Sequence, residues 1–360
     1  MSFRQDKISI ALRRELGKKD LGLQLLALYQ PDFDSYDTIE FLNPLLASLT
    51  TLQRLRFHLD FASGPPGSDT FPDQSTGTWA KLTVLSMGGC WVMTDLWPVF
   101  LTACPNLQTS FFSLCDSDTD SESYNDRFDA YKLTTVHQNL KKLLLSYCVD
   151  GSFSVFTDRR FPAVTTLKIQ FFGSLFNKFV PFSNNARIAE VFPAVQHLSL
   201  FNTADIKDKD NSVFPFIQRI QTLTHLSISL SPTDVPLLTI LFRPQGEVIG
   251  FPKLHQVDLI FRSSAENKAQ FSEQNKLEQD IFDLRNCRKT IPNQAAGPLS
   301  VSVCFTWTKK HHSKTMHNYF MKLEKKFQRE NIDISVQIKE EKEDESSFDF
   351  LEADMIPYFK

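Results

Sequence analysis

Eight side chains suited to holding another molecule recur at matching offsets along the chain: Arg54, Arg56, Lys142 and Lys168, His197 and His225, Phe111 and Phe201. Guanidinium and ammonium groups make charge-assisted hydrogen bonds to carboxylates and phosphates. Phenylalanines supply large apolar contact area, and imidazoles titrate near neutrality. The set reads as a surface for an acidic protein segment or a phosphopeptide. Residue types that do covalent chemistry are present, but without the arrangement such chemistry needs. The run His311-His312-Ser313-Lys314-Thr315-Met316-His317 holds metal-ligand types with no nearby carboxylate or thiol, and reads as a solvated stretch of helix. No phosphate loop, H-E-x-x-H, G-x-S-x-G or kinase signature occurs, and no carboxylate pair is marked for acid–base work. A non-enzymatic protein with no cofactor and no metal is the expectation.

The offsets come from a repeated motif, L-x-x-L-x-L with Val, Ile, Met or Phe allowed, which anchors at Leu23, Leu52, Leu82, Leu107, Leu140, Val164, Val195, Leu223 and Leu254. The mean spacing is about 29 residues, within the range of stacked repeats. Side chains alternate along a strand, so positions four and six of each motif enter a core while positions three, five and seven face the other way. Position three then carries Arg54, Lys142, His197 and His225, position five carries Arg56, Phe111 and Lys168, and position seven carries Phe201. Asp258 is the lone carboxylate among these outward positions. His197 and His225 fall on adjacent strands, which predicts pH-sensitive binding.

Two further regularities support the register. The residue three before the anchor is apolar in Leu49, Trp79, Cys104, Phe161, Phe192, Ile220 and Phe251, and Pro105, Pro162, Pro193 and Pro252 follow four of them. Proline ends a preceding helix and opens an extended segment. Cys90, Cys115 and Cys148 each stand three residues past the last apolar position of their motif, which predicts a half-buried ladder of thiols, one per repeat. Helix-like spacing appears between strands, as in Met93-Leu96-Trp97-Phe100-Leu101 and Phe214-Ile217-Ile220. No such unit buries its apolar face alone, so neighbours must stack.

With these residues the chain resembles the leucine-rich-repeat family, and within it the irregular, cysteine-containing repeats of fungal F-box proteins. The phrases FPAVTTLKI, FPAVQHLSL, FPKLHQVDL and CPNLQTSFF carry the resemblance, over roughly residues 7–262. It implies an α/β solenoid, a horseshoe with a parallel concave sheet and helices on the convex side. It also implies a protein partner recognised on the concave face, and substrate recognition for an F-box-type ubiquitin ligase whose linker subunit would be a second partner. The F-box itself is not seen: Ile8 to Leu16 reads as a helix, and Leu23 to Leu28 already reads as a repeat strand. The rival expectations are a repeat-protein regulator of an enzyme such as a GTPase, with Arg159 and Arg160 as the nearest loop arginines, or a truncated product with no retained activity.

Residues 1–262 therefore read as a solenoid of about nine irregular repeats. Residues 263–338 read as closing units of the same solenoid: a charged helix over 264–286, a strand from Leu299 to Phe305, an amphipathic helix over 311–329 through Met316, Tyr319, Phe320, Leu323 and Phe327, and a strand through Ile334, Val336 and Ile338. Residues 339–360 read as an acidic disordered tail whose last apolar residues, Phe348, Phe350, Leu351, Met355 and Ile356, are suited to fold back or bind a partner. Two interruptions stand out, a turn-rich loop over 62–78 and an acidic loop over 116–129 in which Ser117 and Thr119 have the spacing of acidophilic kinase sites.

Bulk composition agrees with a soluble interaction protein. The 360 residues are 42% hydrophobic and 22% charged, with a formal net charge of −3, so no global field points to nucleic acid or an anionic membrane. The 33 Phe can fill a repeated spine, while 12 Gly are few for nucleotide-binding loops. The six Cys lack zinc or redox spacing and read as reduced. The polar N-terminus has no signal-peptide pattern and no apolar run reaches eighteen residues, so a cytoplasmic or nuclear location is expected.

Overall fold

The structure is a computed structural model describing residues 23–30, 49–59, 77–93, 97–115, 136–148, 160–171, 188–202, 217–243, 251–262, 274–288, 298–307, 314–340 and 354–359. The readings made on Ile8–Leu16, residues 62–76, the loop 116–129 with Ser117 and Thr119, Leu96, Arg159, Phe214, His311 and His312, and Phe348, Phe350 and Leu351 lie outside the described residues. Two compact units divide the chain. The first holds the described residues up to 148 together with 160–163 and 354–359, and the second holds 164–340. The change of rhythm at residue 262 falls within the second unit.

The first unit is built on strands β1 (Leu25–Gln30), β2 (Arg54–Leu59), β3 (Val84–Met93), β4 (Thr109–Cys115) and β5 (Lys142–Cys148). Each pairs in parallel with the next in chain order. The second unit repeats the scheme with β6 (Thr166–Phe171), β7 (His197–Asn202), β8 (His225–Ser229), β9 (Gln256–Arg262), β10 (Ser300–Trp307) and β11 (Ile334–Glu340). Parallel neighbours need a crossover, which explains why strands recur only once in roughly 24–33 residues. The described chain is thus an α/β protein with all-parallel strand pairing and an open linear order within each unit.

The register keeps the motif in step. Position-four residues stand opposite one another as Leu26, Leu55, Leu85, Ser110 and Leu143 in the first unit. In the second they are Leu167, Leu198, Leu226 and Val257, and Val301 and Ile334 of β10 and β11 continue the row. One carbonyl just before each strand takes two N–H groups of the next: Gln53 O accepts from Thr83 and Val84, and Gln196 O accepts from Thr224 and His225. The apolar residue three before the anchor also has a specific task. Its carbonyl accepts the anchor N–H, as in Leu107 to Cys104, Leu52 to Leu49 and Leu254 to Phe251. Pro105 and Pro252 thus occupy the second position of a four-residue turn, where a fixed φ is favourable.

Aromatic residues fill the side toward which positions four and six point. In the first unit, helix α1 (Trp97–Ala103) lays Trp97 against Phe112 and stacks it on Phe161 at 5.9 Å, while Phe100 meets Trp79. The second unit also holds helices α2 (Ile188–Val191), α3 (Val235–Phe242), α4 (Gln274–Asn286) and α5 (Lys314–Arg329). The five expected apolar residues of α5 are all buried, with Phe320 stacked on Phe305 at 4.6 Å and on Phe261 at 5.8 Å. Among the described residues no helix is long and apolar enough to cross a membrane.

Three local readings change. Strand β3 runs on to Met93, so Met93 belongs to the strand and the helix begins at Trp97. The cause is a register shift between Met87 and Trp91, which sets Met93 rather than Cys90 opposite Cys115. Cys115 and Cys148 do stand opposite each other, so the backbone ladder of cysteines has two members and Cys90 is out of step. Finally, Lys339 and Glu340 belong to β11, and Asp354–Phe359 form a turn and a 3₁₀ helix assigned to the first unit, where disorder was expected from composition.

Candidate functional site

In the first unit the outward positions form two aligned rows. Arg54, Val84, Thr109 and Lys142 are successive register partners, and beside them run Arg56, Ser86, Phe111 and Leu144. Phe112 faces α1, so these alternate residues face away from it. Their centre is apolar and closed from solvent: Phe111 and Leu144 are fully buried, as are Val84 and Thr109 nearly so. Phe111 is therefore not an open contact residue. Its ring lies over Gly88, where any β-carbon would overlap it. The glycine leaves room for a large ring to lie flat along the strand face.

The cations at the two ends of these rows hold the chain's own C-terminal segment. Arg54 Nη1 donates to the Tyr358 carbonyl at 3.0 Å. Lys142 Nζ lies 3.8 Å from the Asp354 carboxylate and 3.5 Å from its backbone carbonyl. Arg56 stands 5.8 Å from the centre of the Phe359 ring, and Lys142 stands 5.6 Å from that of Tyr358. Met355, between them in sequence, is fully buried. Lys142 is on β5 and Arg54 on β2, so residues 354 to 358 cross three strand spacings, roughly 14 Å. A carboxylate at one end and two aromatic rings at the other match the cations that meet them.

The outward face of the second unit is more open and differently charged. Lys168 is half-buried and His197 exposed, whereas Phe201 is 7% exposed and so contributes little free surface. His197 and His225 are register partners with ring centres 5.5 Å apart. His225 Nε2 donates to Asp258 Oδ2 at 2.5 Å, and Gln256 Nε2 donates to Oδ1 at 3.1 Å. Burial would raise the Asp258 carboxyl, but these hydrogen bonds and the charges of His225 and Lys168 outweigh it and hold it below its ordinary range. Desolvation lowers His197, and His225, His255 and Lys168 push in the same direction.

The family stays open. No protein-family model matches the chain, and no curated protein is significantly similar to it.

The eight candidate residues fall into two sets. Arg54, Arg56, Phe111 and Lys142 share one face of the first unit, and Lys168, His197, Phe201 and His225 share one face of the second. Spacing alone missed two buried polar side chains. His137 donates from Nε2 to the Cys104 carbonyl at 2.9 Å, and its own backbone N–H bonds Arg160 O at 3.0 Å. Arg288 is 3% exposed and donates to the carbonyls of Leu254 and, at 2.6 Å, Phe251. Arg288 sits outside the repeated motif, whereas His137 takes the position three before Leu140 that is apolar in most other repeats, so a search for apolar residues passes over it. Arg160 is exposed, and its backbone forms an isolated parallel bridge with Val136.

Proposed function

We propose that this chain is a leucine-rich-repeat protein that binds a protein partner on the outward faces of its parallel strands and performs no chemistry of its own. The resemblance in its repeats supports a setting in substrate recognition for an F-box-type ubiquitin ligase, in the cytoplasm or nucleus. The observation that carries the binding reading is the occupied face of the first unit: Arg54, Arg56 and Lys142 already engage a short acidic and aromatic segment. A strand face that holds one such segment has the apolar centre and charged margin of a recognition surface. Affinity capture on the tagged full chain tests both levels. The expected result is a protein partner retained by the wild type and depleted at least tenfold by Arg54→Glu with Lys168→Glu. Unchanged capture would move binding off the strand faces. Failure of the ligase linker subunit to appear would remove the ligase setting and leave the scaffold.

A further inference from the structure

We infer that the strand face of the first unit is a receptor for an acidic–aromatic peptide, and that Asp354–Phe359 is its built-in occupant, which a partner carrying the same chemistry displaces. The inference deepens the binding function proposed above by naming the partner's chemistry and its competitor.

The occupant is local in structure and remote in sequence. Two backbone hydrogen bonds, Tyr358 N–H to Met355 O and Phe359 N–H to Ile356 O, close a single 3₁₀ turn within it. A lone turn of this length has little stability of its own. Its attachments lie on residues 212 and 304 positions away in sequence, Lys142 and Arg54. Among the described residues no strand ladder includes it. Among the described residues three cations meet it, and Met355 is buried. A bound peptide is held by contacts of the same kind.

The same geometry states what the external ligand must carry. A carboxylate must meet Lys142. An apolar side chain follows directly, because Met355 is the residue next to Asp354 and is buried. Aromatic rings four and five residues beyond the carboxylate must meet Lys142 and Arg56, with a main-chain carbonyl placed for Arg54. A basic peptide would meet like charge at three positions. A phosphorylated residue in place of the aspartate would offer more acceptors to Lys142 and suits the site better than a neutral one.

The test uses the full-length chain and a fluorescent peptide, FLEADMIPYFK, the sequence of residues 350–360. Fluorescence anisotropy is measured against the wild type, against a released variant (Asp354→Ala with Phe359→Ala), and against that variant with Arg54→Glu and Lys142→Glu added. The released variant is expected to bind the peptide at least tenfold more tightly than the wild type, since its own segment no longer competes. The added charge reversals should cost at least tenfold, and a peptide of scrambled order should not bind. Circular dichroism identical across the three proteins separates loss of binding from loss of fold. Equal affinity of wild type and released variant would overturn the built-in competitor, and no binding to a folded released variant would overturn the peptide receptor. A wild-type dimer that dissociates on Arg54→Glu would reassign the segment to a second copy and overturn the intramolecular reading. Each outcome is independent of cellular capture, which can succeed through the second unit when this site fails.

Discussion

Arg288 shows how one side chain can secure a repeat junction. Its guanidinium, 3% exposed, donates to the carbonyls of Phe251 and Leu254, the two ends of the turn that launches β9. Burial presses its pKa down from the ordinary arginine value, with the neighbouring Cys287 opposing. Replacing it with Met keeps the stem but leaves the carbonyls without these donors, so Arg288→Met should destabilise by about 2–4 kcal/mol. Urea unfolding should show a lower midpoint with an unchanged slope, and Arg288→Lys should fall between the two because a single ammonium cannot reproduce the fork. The histidine pair gives a pH test. A carboxyl held below its ordinary value, as in Asp258, contributes stability present above pH 3.8 and lost as pH falls through the folded value. His197 is also held low, so the unfolded chain takes up its proton first and acidification below pH 6.5 weakens the fold through this group. An NMR titration should place the His197 midpoint below 6.5, and His225→Asn should raise it partway, because the largest cause, desolvation, remains.

At the scale of elements, the strands and the last helix were legible because their signals are periodic. Leu55, Leu85, Leu143, Leu167, Leu198 and Leu226 all occupy the expected motif position and stand in one register within their units. The five buried residues of α5 follow directly from helical spacing. What spacing does not reveal is a change of register within one strand. Gly88, Gly89 and Cys90 lie within the register shift of β3, and a motif count reads Cys90 as the next ladder member although Met93 takes that place. The state of Phe111 was illegible for a related reason. Alternation gives the side a residue faces, but not whether that side is open, and here Phe111 and Leu144 are fully buried. The placement of Arg54, Arg56 and Lys142 on one strand face was legible, whereas Tyr358 and Phe359 as their neighbours were not, because nothing local links them. The glycine supplies the element-scale prediction. Gly88→Ala puts a methyl group into a Phe111 ring that is fully buried and has little freedom to shift. Destabilisation of about 1–3 kcal/mol is expected from such overpacking, measured by chemical unfolding. Phe111→Leu in the same background should recover part of it by removing the edge that clashes, with the sum of the single effects exceeding the double.

For the molecule as a whole, the C-terminal segment converts chain connectivity into binding strength. A tethered ligand acts at an effective concentration of about 1 mM, which falls roughly as the −3/2 power of tether length. If the free segment binds with a dissociation constant of about 50 μM, tethering contributes about 2 kcal/mol to the first unit. Cutting the tether removes that contribution while leaving every contact chemically intact, which no point substitution can do. A protease site placed between Glu340 and Asp354 makes the comparison in one protein. After cleavage at a protein concentration of about 5 μM, well under the assumed dissociation constant, most of the segment should leave, and native mass spectrometry should register loss of its mass. The melting transition of the first unit should fall by roughly 4–8 °C, by the usual relation between stability and midpoint for a unit of this size. Adding back the peptide at several times its dissociation constant should restore most of the loss, and should do so less well in 0.5 M salt because the Lys142–Asp354 pair is partly exposed. The Arg54→Glu, Lys142→Glu chain should start from the lower melting point and show no further drop on cleavage. That pattern would tie the stability of the unit to occupancy of its cationic face and to no other role of the segment.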